Sequence, residues 1–153
     1  MKERLNDTTR AIMDERFGCD NVISLATIDG GQPAVRYVNG YYEDGAFYIV
    51  THASSGKMRQ LAENPAAAIC GDWFTGRGVG ENIGHPRDPK NEDLMDKIRV
   101  AFAEWYGNGH TDENDPGTCI LRVRLTEGLL ASHGTWYDID FAADWQGEDG
   151  APA

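Results

Sequence analysis

The chain of 153 residues is short of several things, and each shortage argues against a class of function. Base is scarce: 14 Lys and Arg stand against 25 Asp and Glu, giving a net charge of −11. A field of that sign repels phosphate backbones and anionic lipid surfaces, so neither nucleic acid nor a membrane is expected as a partner. An anionic ligand can bind such a chain only where a few bases converge. No apolar run approaches the roughly 20 residues of a membrane span. The stretch Met1 to Arg16 is charged throughout and has no apolar signal core, so a cytoplasmic location is expected. Cysteine is limited to Cys19, Cys70 and Cys119, widely spaced and without a C-x-x-C pair. That argues against a disulfide framework or zinc knuckle, and the thiols are read as reduced and mostly buried. The histidines His52, His85, His110 and His133 show no metal-ligand spacing, so no metal is expected. No nucleophile elbow marks a serine hydrolase.

What is present is an ordinary globular composition, 41% hydrophobic and 25% charged. One domain over 1–141 is expected, followed by a disordered acidic tail of small residues over 142–153. Lys2 to Phe17 reads as a helix with a loose apolar stripe. Three antiparallel strands are expected near 21–28, 32–42 and 46–51, because Asp29-Gly30-Gly31 and Asp44-Gly45 supply the positive φ angles of tight hairpins. A short helix over 54–63 ends at Asn64-Pro65, and a fourth strand follows over 66–74. The glycine-dense run 76–84 is read as a barrel bend or irregular strand. Its Gly78, Gly80 and Ile83 fail the dinucleotide-loop spacing. A helix over 91–106, carrying Leu94, Ile98, Ala101, Phe102 and Trp105 on one face, precedes a polar loop over 107–117. Two last strands, 118–126 and 129–139, are expected to meet at Glu127-Gly128. The class is mainly β with flanking helices.

The most informative joint is FYIVTHASSGKMRQLAENP, where a strand gives way to a helix at Ser-Ser-Gly-Lys. Backbone N–H groups at a helix start attract anions, and Gly56 lets a ligand approach closely. Lys57 adds a full charge and Ser55 a hydroxyl. Taken alone, the segment is also compatible with a capped surface helix and a solvated lysine. Arg36 lies mid-strand in Ala34-Val35-Arg36-Tyr37-Val38, where a cation requires a partner, either a carboxylate or a ligand phosphate.

The run Leu25-Ala26-Thr27-Ile28-Asp29-Gly30, Pro33, Arg36-Tyr37-Val38, Phe47-Tyr48, Thr51 through Lys57, Leu61 and Asn64-Pro65 resembles the pyridoxamine 5′-phosphate oxidase-like family of FMN-binding split barrels. The resemblance is best over 20–75. It implies a split β-barrel of six to seven antiparallel strands with about three helices. It implies FMN, with Arg36, Ser55 and Lys57 on the phosphate, and Tyr37, Val38, Val50 and Thr51 along the isoalloxazine. It further implies a homodimer with cofactor sites in the interface, and Trp136 as an aromatic closing the partner's pocket; a core role for Trp136 stands beside that. Asn82 or Arg77 in the glycine run is a further candidate for polar contact with the flavin. Related split barrels hold F420 or haem, so these stay open. Two departures bear on activity. Tyr41 stands where the oxidase has a substrate-phosphate lysine, and Ser132-His133-Gly134-Thr135-Trp136 stands where its late Arg-x-His is expected. The function implied is an FMN-dependent oxidoreductase acting on an unassigned small-molecule substrate or electron donor, or a non-catalytic cofactor-binding protein. No catalytic residue is singled out.

Overall fold

The computed structural model describes residues 2–145. The element order is β1 (Glu3–Arg4), α1 (Asp7–Phe17), β2 (Asn21–Asp29), β3 (Gln32–Glu43), β4 (Ala46–His52), α2 (Gly56–Glu63), β5 (Ala66–Gly71), β6 (Phe74–Asn82), α3 (Glu92–Ala101), β7 (Thr118–Ser132) and β8 (Thr135–Asp140). Short 3-10 turns cover Pro89–Asn91 and Ala142–Asp144. Six strands in the order β7-β4-β3-β2-β5-β6 form an antiparallel barrel that closes where β6 pairs with β7. Strand β8 adds to the second half of β7, and β1 adds in parallel to β8. The expected mainly β split barrel is what the chain forms.

Turn chemistry sets the hairpins. Gly30 and Gly31 have φ of 55° and 88°, and Asp44 and Gly45 have 46° and 84°. Two consecutive left-handed residues make the turn whose twist matches the strands it joins. The same turn recurs at His133 and Gly134, with φ of 51° and 80°. The last hairpin is therefore there and not at Glu127-Gly128, a correction to the sequence reading. Strand β7 runs through Glu127-Gly128, and its register against β6 slips by one residue between Arg77 and Gly78, leaving Thr126 as a bulge. Gly128 has a packing reason: a Cβ there would lie 2.7 Å from the Phe74 ring.

Three further boundaries differ. Helix α1 starts at Asp7 because Asn6 caps it in a reciprocal pair with Thr9, and the residues before it extend along β8. Helix α3 stops at Ala101, and Trp105 and Tyr106 lie in turns beyond it. The glycine run is strand up to Asn82, with the register slip against β7 inside it. Cys19 and Cys70 are exposed and only Cys119 is buried, against the expectation of mostly buried thiols. The expected tail over 142–153 lies outside the described residues from 146 on. Its first part is held in place, with Asp144 accepting from Arg4 and Arg10.

Alternation along β7 serves two cores. Cys119, Leu121, Val123 and Leu125 face the barrel interior, while Ile120 faces Met95, Ile98 and Phe102 under α3. Phe47 is the hub of the barrel interior, edge-on to Phe17 at 5.5 Å and to Tyr42 at 5.3 Å. Burying a side chain of that kind contributes about 1.5–3 kcal/mol. Closure depends on glycine. A Cβ on Gly78 would lie 2.3 Å from the Arg124 carbonyl oxygen, a backbone atom that has nowhere to go. Gly78→Ala is therefore expected to cost at least about 1–3 kcal/mol. Gly107→Ala, with no atom within 4 Å of the new Cβ, is expected to be near neutral. Thermal melts of the two variants check this, and equal melting points would contradict it.

Candidate cofactor site

The site grows from the end of β4. Ser55 has extended backbone (φ −66°, ψ 157°) and stands at the N-cap of α2, held by its N–H to the His52 carbonyl at 3.0 Å. Its side chain does not cap the helix. The Ser55 hydroxyl is buried and has no hydrogen-bond partner. The first-turn amides of α2 have no intrahelical acceptor, as at every helix start. Met58 and Leu61 anchor the helix to the core, so its open end is fixed in place.

Two cations meet there. Arg36 leaves β3 and reaches α2, donating through Nη2 to Gln60 Oε1 at 2.7 Å. Through Nη1 it donates to Thr27 Oγ1 at 2.7 Å and to the Leu25 carbonyl at 3.3 Å. All three acceptors are neutral. Lys57 is half-buried and makes no hydrogen bond or ion pair among the described residues. Burial, and then the Arg36 charge, push its ammonium below the usual lysine value. An anion bound between the two would reverse the second effect.

Beside Lys57 opens a cleft of about 430 Å³. One wall is β3 and β4, through Tyr37, Val38, Val50 and Thr51. The other is the turn and loop after α3, through Trp105, His110, Asp112 and Asp115. Asp20 sets the spacing at one end, accepting from Trp105 Nε1 at 2.9 Å and from Asn39 Nδ2 at 3.0 Å. The loop is stapled at Glu113, which takes a two-point contact from Arg99 (2.8 and 3.1 Å) and the Tyr106 hydroxyl at 2.6 Å. These donors, Arg99 first, hold the Glu113 carboxyl down at about 2. At the far end His52 Nε2 meets Asp115 Oδ2 at 3.2 Å.

A family model described as pyridoxamine 5′-phosphate oxidase matches residues 10–131. The chain belongs to that family. Among relatives, the pyridoxine/pyridoxamine 5′-phosphate oxidase of Bradyrhizobium sp. (strain BTAi1) is 46% identical over 56 residues, 35% of this chain and 26% of that protein. The chain thus spans about a quarter of the length of the oxidases that it matches. General stress protein 26 of Bacillus subtilis is 25% identical over 114 residues, 72% of this chain and 79% of that protein. Among solved structures, a FAD-binding protein from Mesorhizobium loti superposes with a TM-score of 0.61 at 15% identity, covering 81% of this chain and 92% of its own. A heme-binding protein from Mycobacterium smegmatis gives 0.61 at 20%, covering 80% and 54%. An F420 reductase gives 0.57 at 19%, covering 75% and 94%. At such identities these likenesses show the fold. Among the described residues, no helix is long and apolar enough to cross a membrane.

Within this family member, the residues singled out from sequence separate into two sets. Arg36, Ser55, Gly56 and Lys57 come together at the start of α2, and Tyr37, Val38, Val50 and Thr51 line the adjoining cleft. Asn82 and Trp136 are not brought to it within the chain. Asn82 turns back to accept the Gly84 N–H at 2.8 Å. Trp136 is 60% exposed on β8 and stands edge-on to Trp73 at 6.4 Å. Arg77 points outward beside Glu127. Sequence reasoning missed Thr27 and Gln60 as the acceptors of Arg36, and it gave the polar loop over 107–117 no place beside the cleft. Only the helical spacing of Trp105 hinted at that wall.

The Glu113 staple generates a pH prediction. Its carboxyl is depressed from 4.5 to about 2, so the stabilisation is present above 4.5 and is lost as pH falls through about 2. With a side chain only 12% exposed, Glu113→Gln is expected to cost about 1–3 kcal/mol at neutral pH. The cost should shrink as urea melts are taken from pH 4.5 towards 2. A pH-independent difference would refute this role.

Proposed function

We propose that the chain binds FMN, its phosphate held at the start of α2 by Arg36, Ser55 and Lys57, and that it uses the flavin as an oxidoreductase. The observation that carries this reading is the imbalance at that point. A buried hydroxyl lacks a partner, a half-buried lysine lacks an acceptor, and an arginine beside it has only neutral ones. Among the described residues, no carboxylate bonds to any of the three. A phosphomonoester supplies the missing acceptors and the missing charge. A bound flavin carries hydride chemistry, and the protein contributes binding and orientation. Val38, Val50 and Thr51 then offer a wall to the ring system, and Trp105 faces it from across the cleft.

Pyridoxamine phosphate is a poor fit as substrate. Tyr41 donates to Glu43 at 3.1 Å and cannot replace a phosphate-binding lysine. His133 is spent in the β7–β8 turn. A different small molecule is therefore the substrate or electron donor. F420 and haem are the competing cofactors, and an absorption spectrum separates all three.

A homodimer belongs to the same proposal. One register row runs Tyr37, Ser24, Cys70, Thr75, Leu129 across five strands without a charge. Val35 and Trp73 stand exposed around it at 69% and 67%. The row meets its first charge at Asp138 on β8, and Arg77 and Glu127 flank it, so the uncharged strip between them is where two copies can meet. A two-fold axis through it would carry the Trp136 edge of one copy towards the cleft edge of the other.

FMN fluorescence is expected to be quenched on titration with the protein. Arg36→Ala and Lys57→Ala should each weaken binding roughly 10- to 100-fold, the worth of a charge-assisted hydrogen bond. Ser55→Ala should weaken it by about tenfold or less. Protein that is colourless and leaves FMN fluorescence unchanged would sink the proposal.

A further inference from the structure

We propose that Gln60 is itself a ligand of the phosphate, as well as the support of Arg36, and that Thr27 sets its orientation; this rests on the flavin reading above. Gln60 lies on α2 four residues after Gly56, so the two share a face of the helix. A helical side chain leans back towards the N-terminus, which brings the Gln60 amide to the helix start. A Cβ built on Gly56 would have two nearest neighbours, Gln60 Nε2 at 3.6 Å and Arg59 Nη2 at 3.9 Å. Both are donor nitrogens. Arg59 is exposed and tied through Nη1 to the Ser54 carbonyl, whereas Gln60 is held from within the site.

The neighbours of the amide decide which of its ends faces Gly56. A guanidinium can only donate, so the Gln60 atom 2.7 Å from Arg36 Nη2 is the acceptor, Oε1. Arg36 Nη1 donates to Thr27 Oγ1 at 2.7 Å, which leaves the Thr27 hydroxyl proton for Gln60 Oε1 at 2.6 Å. Both lone pairs of Oε1 are then filled. Thr27 is buried, so its hydroxyl has no water to turn to instead. Turning the amide over would set its N–H groups against the guanidinium N–H. Nε2 therefore faces the helix start, and among the described residues its protons meet no acceptor.

Gly56 points the same way. Its backbone is helical, so no left-handed angle requires glycine, and a Cβ there would meet its neighbours at ordinary contact distance. Glycine is also a poorer helix former than alanine. Neither packing nor backbone explains the residue, and room for a group from outside the chain does. A phosphate oxygen over Gly56 accepts from Gln60 Nε2, while Oε1 of the same amide holds Arg36 in reach of it. The chemistry of the side chain suits the place. A carboxylate would neutralise Arg36 and repel the phosphate. A third cation would add repulsion to Arg36 and Lys57, which already depress one another. An amide adds a donor and no charge.

The test uses the full chain with FMN and with riboflavin, which differ only in the phosphate. In 15N NMR spectra the side-chain amide signals of Gln60, assigned through Gln60→Ala, should move on adding FMN and stay in place on adding riboflavin. Gln60→Ala should weaken FMN binding roughly tenfold or more. In an Arg36→Ala background it should still weaken binding about threefold or more, whereas a residue acting only through Arg36 would do nothing there. Thr27→Val should weaken binding roughly threefold, and Thr27→Ser should match wild type. Gly56→Ala should weaken FMN binding while the melting temperature of the ligand-free protein holds or rises. Gln60 signals unmoved by bound FMN, or moved equally by riboflavin, would overturn the ligand role and leave the flavin reading standing. So would a Gln60→Ala effect that vanishes once Arg36 is gone. If Arg36→Ala leaves too little binding to measure, unchanged affinity in Gly56→Ala overturns it instead. Failure of wild type to bind FMN removes both.

Discussion

Closure of the barrel along β6 and β7 is the constraint on which the rest depends. Gly76, Gly78 and Gly80 let β6 lie against Phe74, Leu125, the Arg124 backbone and Leu61, where side chains would collide. Strand β7 then has β6 on one flank and β4 on the other, and the pairs Thr51–Cys119 and His52–Thr118 fix the end of β4. Everything at the candidate site hangs from that end. Helix α2 starts four residues later, and the loop wall of the cleft leads straight into β7.

Charge is distributed with the same economy. Most of the arginines with long-range partners face carboxylates: Arg99 and Arg87 on Glu113, Arg10 and Arg4 on Asp144, Arg122 on Glu81. Among the described residues, Arg36 and Lys57 sit side by side without one. Leaving two partly desolvated cations together costs stability, and such a cost is a sign of function when nothing in the chain relieves it. The same site is where an acidic molecule can accept an anion, because the local field there opposes the global one.

Much of this was legible in the sequence, for physical reasons. Hairpins were found because Asp-Gly and Gly-Gly declare positive φ. The strand expected over 118–126 is there, and its alternation serves two cores. The cations were found because Lys57 follows a helix start and Arg36 interrupts an apolar strand. Glu127-Gly128 misled, since glycine there answers to the Phe74 ring and not to a turn. Helix α1 starts at Asp7 and not at Lys2 because the Asn6 cap outweighs a weak stripe. The acceptors of Arg36 and the partners of His52 lie up to 63 residues away, and no local pattern carries such pairings.

The late position of β7 has a consequence for how the protein is made. Strand β4 emerges from the ribosome about 70 residues before the segment that flanks it, at roughly 5–20 residues per second. Until Thr118–Ser132 arrives, β4 has β3 on one side and an open edge on the other. The nascent chain therefore carries Arg36, Ser55 and Lys57 long before it has a fixed place to put them. Capture of the proposed anion would in this sense be an event of the finished polypeptide: the anion could select the closed barrel but could not template it.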